Sequence, residues 1–303
     1  MRRKAGLGDG TLNKIVQTIY NDIFLNLHHN TVDMFLCGGA STRNNMSNRD
    51  KLREHLKNSK SLSILYPEDL FMELLNRKKY DLLTLEKFLA QNSDIICIVC
   101  ESPGSFVELG AFVNNENTFD KVVVLLQSKY KNAKSFINQG PVAMVKKNNV
   151  NNVIYFNKNI EDATEQVKEL LRKRFWRFSY KSLKYKKRTK DINLISGQFY
   201  FIMVLLYFYN SINTTKMVQT IKELYLSRGY EEKQFEVVYT AAIRRLYKEG
   251  LLKKVQISDG SNFYELTNKG YEQVKYILGS AHIKNSTKII DGIRLKIIRT
   301  SYY

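Results

Sequence analysis

The stretch Ile95-Ile-Cys-Ile-Val-Cys100-Glu101-Ser-Pro-Gly-Ser-Phe-Val-Glu108-Leu-Gly-Ala-Phe-Val-Asn-Asn-Glu-Asn117 decides how this chain is read. An apolar run, a turn and a helical pattern in succession describe a buried strand that hands its C-terminal end to a helix N-terminus. In open α/β sheets that edge is where ligands bind. The stretch carries two carboxylates, Glu101 and Glu108, and the small loop residues Ser102, Gly104 and Ser105. Asn114, Asn115 and Asn117 follow. The chemistry is expected here.

Working outward, the same strand-then-helix pattern repeats on both sides. Expected strands are 32–37, 62–66, 95–100, 122–126 and 153–156. Helical patterns lie between them, around 49–56, 68–75, 82–90, 105–115 and 140–147. Helices alternating with apolar strands imply a doubly wound parallel sheet of about five strands, of the Rossmann or flavodoxin type. Residues 1–30 form a preceding helical segment, with Ile15, Ile19, Ile23 and Leu27 at helical spacing. The sheet domain is placed at 31–178, a basic linker at 179–195, a mostly helical domain at 196–280 and a basic tail at 281–303.

The C-terminal third changes character. Three helical patterns, at 198–209, 215–227 and 233–248, lead into two short alternating strands around Asp259-Gly260, a strong hairpin signal. Another helix, 268–278, follows. This order resembles the winged helix-turn-helix, in which the helix at 233–248 would read nucleic acid.

Composition narrows the function classes. The chain has 303 residues, 44% hydrophobic and 12% aromatic, which suits two globular domains. No apolar run reaches the ~18 residues needed to cross a bilayer, and the N-terminus lacks the pattern of a signal peptide. Cys97 and Cys100 fall inside one expected strand, which argues for reduced thiols and a cytoplasmic location. The net charge of +19 is unevenly spread: residues 172–190 hold ten Lys or Arg and no acid, interleaved with aromatic residues. Such a segment suits phosphate backbones and base stacking. Expected nucleic-acid contacts are Arg172, Lys173, Arg174, Arg177, Lys181, Lys184, Lys186, Lys187 and Arg188, together with Arg244, Arg245 and Lys248 on the proposed reading helix.

Glu108 supports two readings. Ser105-Phe-Val-Glu108 has capping-box spacing, with Ser105 as N-cap and Glu108 satisfying a backbone N–H. The same geometry aims a carboxylate, held ionised by the helix dipole, at the ligand edge. There it would attack a ribosyl anomeric carbon or stabilise an oxocarbenium-like transition state. Cys37-Gly38-Gly39 ends the first strand, where glycines let backbone approach phosphate or ribose. Glu68 and Asp69 follow Pro67 at an ordinary helix opening and add carboxylates at the same edge. Asn114 and Asn117 end the helix in one reading and hold ribose hydroxyls in the other. No metal-ligand spacing appears, so no metal is expected, and none of the four histidines falls in a motif.

Together these motifs carry a resemblance. Phe35-Leu-Cys-Gly-Gly, Tyr66-Pro-Glu-Asp-Leu-Phe, Glu101-Ser-Pro-Gly-Ser-Phe-x-Glu108-Leu-Gly-Ala-Phe, Asn114-Asn-Glu-Asn117 and Ser135-Phe-Ile-Asn-x-Gly-Pro141 look like the effector proteins of bacterial retrons. Those effectors join a nucleoside 2′-deoxyribosyltransferase-like domain to a winged helix. The resemblance implies an N-glycosidase of anti-phage defence, restrained by a reverse transcriptase with its RNA-linked DNA (msDNA and msrRNA) and toxic on release. It implies NAD as substrate rather than cofactor, with nicotinamide released, and a site often completed by a second subunit. By resemblance, Glu108 is the nucleophile of a Glu-Leu-Gly motif. Glu86 is the closest match to an acid ahead of that strand, and Glu101 is a candidate for an acid just before the nucleophile.

The chemistry bears on substrate class. A neutral nucleoside usually needs an acid to protonate the departing base, whereas nicotinamide leaves NAD from a cation as a neutral molecule. The alternatives are a nucleoside or nucleotide N-glycosidase or deoxyribosyltransferase, and, from another class, a winged-helix regulator whose α/β domain senses a nucleotide.

Overall fold

The structure is a computed structural model that describes residues 9–29, 31–59, 61–76, 80–176, 187–188, 190–281, 283 and 286–302. The chain divides into two compact units, residues 30–68 with 72–186, and residues 1–29 with 69–71 and 187–303. The N-terminal segment, α1 (Asp9–Thr18) and the short β1 (His28–His29), belongs to the second of these.

The first unit alternates strands and helices in the order β2 (Val32–Cys37), α2 (Asn48–Leu56), β3 (Leu62–Leu65), α3 (Pro67–Asn76) and α4 (Leu82–Asn92). It continues with β4 (Ile95–Val99), α5 (Pro103–Val113), β5 (Val122–Gln127), α6 (Phe136–Gln139), α7 (Pro141–Asn148), β6 (Val153–Phe156) and α8 (Glu161–Leu171). All five strands pair in parallel, in the order β3-β2-β4-β5-β6. This is the doubly wound sheet read from the sequence.

Alternation along β2 assigns the two faces. Val32, Met34 and Leu36 pack with Leu52 and Leu56 of α2 and with Ala163, Val167 and Leu171 of α8. Phe35 points the other way and meets Phe112 of α5, ring centroids 5.8 Å apart. Buried on both faces, β2 and β4 read as continuous apolar runs, as strands of parallel sheets do. Each fully buried Leu, Ile or Val contributes roughly 1.5–3 kcal/mol.

The connection from β2 leads to one side of the sheet and that from β3 to the other, so the chain reverses between β2 and β4. Doubly wound sheets bind ligands in the crevice outside the carboxyl ends of such a strand pair. The residues there are Cys37-Gly38-Gly39 and Cys100-Glu101-Ser102.

In the second unit, β7 (Lys187–Arg188) pairs with β1, and α9 (Ile195–Tyr209) is apolar all round and buried almost throughout. Then come β8 (Ser211–Asn213), α10 (Thr214–Ser227), α11 (Glu232–Lys248), β9 (Leu252–Gln256), β10 (Asn262–Leu266), α12 (Asn268–Ser280) and α13 (Ser286–Tyr302). The expected hairpin forms around Asp259-Gly260. Gly260 sits at φ +82°, and the Asp259 side chain accepts from the Ser261 N–H at 2.7 Å. A third strand the sequence reading lacked, β8, completes an antiparallel sheet β8-β10-β9.

The run Leu266-Thr-x-x-Gly270 has a local cause. Thr267 caps α12 by accepting from the Gly270 N–H, and a Cβ at Gly270 would lie 2.3 Å from the Leu251 carbonyl oxygen. Within the basic tail, residues 286–302 form a helix. In α13, Ile293 is buried and the Arg294 guanidinium donates to the Tyr207 hydroxyl. Tyr20 and Phe24 pack their rings against Phe201 of α9, which holds the N-terminal segment in this unit. No helix among the described residues is long and apolar enough to cross a membrane.

Candidate active site

The start of α5 differs in register from the sequence reading. Ser102, not Ser105, is the N-cap, and the reciprocal box joins Ser102 to Ser105. The Ser102 hydroxyl accepts from the Ser105 N–H, and the Ser105 hydroxyl accepts from the Ser102 and Glu101 N–H groups. Pro103 is the cause: its fixed φ and missing N–H suit the first helical position, which moves the box three residues upstream. Glu108 is therefore in the second turn and caps nothing. Both serine hydroxyls are engaged with backbone, while Gly104 is exposed in the first turn.

Released from capping, the Glu108 carboxyl turns into the unit, where Oε2 is buried without a hydrogen-bond partner among the described residues. Burial, then the neighbouring Glu86 and Glu68 carboxylates, push it up to about 7, with Arg49 pulling the other way. The expectation that the helix dipole keeps Glu108 fully ionised is thus corrected, because desolvation outweighs a dipole effect that fades beyond the first turn.

Glu86 of α4 is 9% exposed, and burial followed by Glu68 also raises it to about 7. Three helices thus bring Glu68, Glu86 and Glu108 into one electrostatic cluster at the switch point. Cys37 lies under it. Burial first, then Glu108 and Glu86, raise its thiol well above the usual range, so it stays protonated. Cys100 is pushed up to about 12, also chiefly by burial.

Arg49, which the sequence reading did not single out, supplies the opposing charge. Its guanidinium donates to Glu68 Oε1 at 3.1 Å and lies over the Tyr66 ring, 4.4 Å from the centroid. The available signal was a cation at the second position of the helix that follows the first strand and its glycine turn.

Glu101 holds Arg49 in place. Its two carboxylate oxygens accept from the Asn48 and Arg49 N–H groups at 2.8 and 3.0 Å, capping α2. In the structure Glu101 is engaged in this cap rather than gathered into the acid cluster. The glycines before α2 are required by this packing. Gly38 has φ +150° with Arg49 Cβ 2.9 Å from its would-be Cβ, and a Cβ at Gly39 would lie 3.3 Å from Glu101 Cγ.

Other expected site residues lie apart. Asn114 is the exposed C-cap of α5, about 9 Å along the axis from Glu108. Asn117 is exposed beyond it, its N–H bound to the Asn115 side chain. Asp69, grouped with the second unit, pairs with Lys248 there. Among the described residues no group of three or more His, Cys, Asp or Glu side chains is arranged to hold a metal ion.

The basic residues divide similarly. Arg172 and Lys173 pair with Glu169, and Arg174 donates to the Asp120 carbonyl. Arg177, Lys181, Lys184 and Lys186 lie outside the described residues, as do the side chains of Lys187 and Arg188. Arg244 is exposed on α11. Arg245 is not the phosphate contact expected. It is 3% exposed, lies over the Phe199 ring at 4.3 Å and pairs with Glu249 at 2.8 Å. One helical step turns it from solvent into the core.

A doubly wound sheet with clustered carboxylates at its switch point, joined to a helical unit with a hairpin, defines the class of protein. Comparison with known proteins then gives the family. Residues 45–256 match the family described as STM3845 retron effector protein, so the chain belongs to the retron effectors. It is 33% identical over 275 residues to the Escherichia coli protein named "Retron Ec86 putative ribosyltransferase/DNA-binding protein", covering 88% of this chain and 84% of that one. It is 42% identical over 65 residues to the Escherichia coli "Retron Ec73 putative ribosyltransferase/DNA-binding protein", a local match covering 22% of this chain and 21% of the relative.

Proposed function

We propose that this retron effector hydrolyses the N-glycosidic bond of NAD in the cytoplasm, as the toxic arm of an anti-phage defence. The observation that carries the reading is the buried Oε2 of Glu108, without a hydrogen-bond partner among the described residues, beside Glu86, both acids being raised to about 7. A carboxylate near 7 is ionised in a useful fraction of molecules at cellular pH and keeps the basicity that a nucleophile or base needs. At Oε2 no hydrogen bond from the described residues blunts it.

The step is balanced without a metal or redox partner. The C1′–N1 bond of the nicotinamide riboside half breaks, and its electron pair neutralises the pyridinium nitrogen. Glu108 bonds to, or stabilises, the developing cation at C1′. Water then adds at C1′ and gives up its proton to the carboxylate cluster, leaving ADP-ribose. The Arg49 charge lowers Glu108 and Glu86 and so favours their ionised forms.

The helical unit, with the order of a winged helix, would dock on the reverse transcriptase and its msDNA and msrRNA. The ribosyltransferase and DNA-binding words in the relatives' names support both halves of this assignment. With Asn114 and Asn117 at the far end of α5, a homo-oligomer in which a second copy completes the site is part of the proposal.

The test is to incubate wild type and Glu108→Gln with NAD and measure nicotinamide by mass spectrometry. Release by wild type alone is expected. Intact NAD with wild type, in the presence and absence of the retron nucleic-acid complex, rejects the reading.

One observation favours a second reading. Glu86, also raised to about 7, is an acid able to protonate a departing base, which cleavage of a neutral nucleoside or nucleotide requires. Free base released from a nucleotide mixture, with NAD untouched, would select it.

A further inference from the structure

We propose that the cavity beside the acid cluster is a subsite for phosphate groups, and that it makes the enzyme select N-ribosides carrying a diphosphate over free nucleosides. The inference deepens the proposed function and takes the position of the reacting bond from it. The cavity, of about 740 Å³, is framed by the loop of residues 40–46 and by α2, and it ends at Arg49 and Glu68. It thus opens directly from the cluster, and its volume is on the scale that holds an entire ligand of a few hundred daltons.

The charges in its wall differ in how they are committed. The three acids are all engaged: Asp50 accepts from the Ser41 and Tyr66 hydroxyls, Glu54 pairs with Lys57, and Glu68 pairs with Arg49. Arg43 makes no hydrogen bond or ion pair among the described residues. The Arg53 guanidinium lies over the Tyr66 ring at 4.1 Å, so Arg43, Arg49 and Arg53 together give the wall three positive charges. The wall's three guanidinium groups and three carboxylates balance in formal charge, and Arg43 is the cation among them that none of these acids engages.

The loop that carries Arg43 is tethered at both ends. Ser41 Oγ accepts from the Ser47 N–H at 3.0 Å and donates to Asp50. Thr42 and Asn45 pair across the turn, with the Thr42 N–H donating to the Asn45 carbonyl at 2.9 Å. Arg43 is therefore held out at the tip of a closed turn. The first N–H groups of α2 are already taken by Glu101 and Ser47, so a helix terminus does not do the binding. Recognition falls to the guanidinium, whose planar fork suits two phosphate oxygens at once.

The test uses the full chain with two readouts. The first is calorimetric titration of ADP into wild type, Arg43→Ala and Glu108→Gln. ADP should bind wild type and Glu108→Gln alike, and bind Arg43→Ala about tenfold more weakly. The second is the ratio of kcat/KM for NAD to kcat/KM for nicotinamide riboside, which has the same bond and leaving group but no phosphate. That ratio should fall about tenfold in Arg43→Ala. Failure of wild type to bind ADP, or equal binding by Arg43→Ala, overturns the subsite. If neither substrate releases nicotinamide, the proposed function fails, and the ADP titration still decides the subsite.

Discussion

The Arg49 guanidinium donates to the Glu68 carboxylate at 3.1 Å, and this pair supplies the positive charge around which Glu68, Glu86 and Glu108 are assembled. Arg49 is buried while Glu68 remains half exposed. The pair therefore combines a desolvated cation with an acid that ligand can still reach.

Removing that cation should change the pH profile before it changes the fold. In Arg49→Met, Glu108 and Glu86 lose the guanidinium charge that lowers them, so the acid limb of nicotinamide release moves to higher pH. Each unit of displacement costs about tenfold at pH 7. Arg49→Lys should recover part of the displacement, since the charge remains but the fork does not. A profile with an unmoved limb would remove Arg49 from this role.

Wild-type activity should itself fall as pH drops through about 7, because Glu108 must be ionised to act at C1′ and its folded pKa is raised from 4.5 to about 7. The sign for stability follows. A carboxyl raised on folding favours the protonated native state, so its contribution is full below about pH 4.5 and is lost as pH rises to 7. Glu108→Gln, which cannot ionise, should melt above wild type at pH 8, and the gap should close by pH 4.5. Thermal denaturation at the two pH values checks it.

Glu101→Ala should behave as the loss of a helix cap. Two N–H groups of α2 lose their acceptor, costing about 1 kcal/mol, and Arg49 loses its fixed origin. The expected outcome is a modest drop in the denaturation midpoint and a fall in kcat without the near-total loss expected of Glu108→Gln. Equal losses in both variants would make Glu101 a reacting group.

Arg244 and Arg245 should separate stability from nucleic-acid binding. Arg245→Ala removes a buried guanidinium from Phe199 and Glu249 and should cost about 1–3 kcal/mol in urea denaturation. Arg244→Ala, at an exposed position, should leave the midpoint in place. If α11 docks on nucleic acid, it should also flatten the salt dependence of binding by about one unit of slope.

Asp191 should anchor the N-terminal segment. Its two oxygens accept from the Tyr20 and Tyr230 hydroxyls at 2.5 and 2.7 Å. Asp191→Ala should destabilise the second unit by roughly 2–3 kcal/mol and speed hydrogen exchange across residues 9–26. Asp191→Asn, which keeps one acceptor, should do less.

Strand positions and the hairpin were legible because each follows from local pattern. The runs at 32–37, 95–100 and 122–126 are too short for buried helices and rich in strand-favouring residues, and Asp259-Gly260 meets the φ requirement of its turn. Glu108 was legible as a candidate through its place after a strand. Its capping role was misread because Ser105-x-x-Glu108 and Ser102-x-x-Ser105 compete locally, and Pro103 resolves the competition. Arg49 and Arg245 were not legible. The exposure of a cation depends on which helix face meets the rest of the unit, and charge counting is blind to that.

The sequence by itself determined a parallel doubly wound sheet followed by a helical unit with a hairpin, and it determined which edge of the sheet holds the acids. Apolar runs and turn residues act over short distances, so the linear order suffices. Only the tertiary structure decided what those acids are. It buried Glu108 and Glu86, placed Glu68 beside them and set Arg49 against all three, drawing on helices that start at residues 48, 67, 82 and 103. It also gave Glu101 to a helix cap and Arg245 to the core. Desolvation and charge proximity depend on distances in space, and those are created when the helices pack onto the sheet.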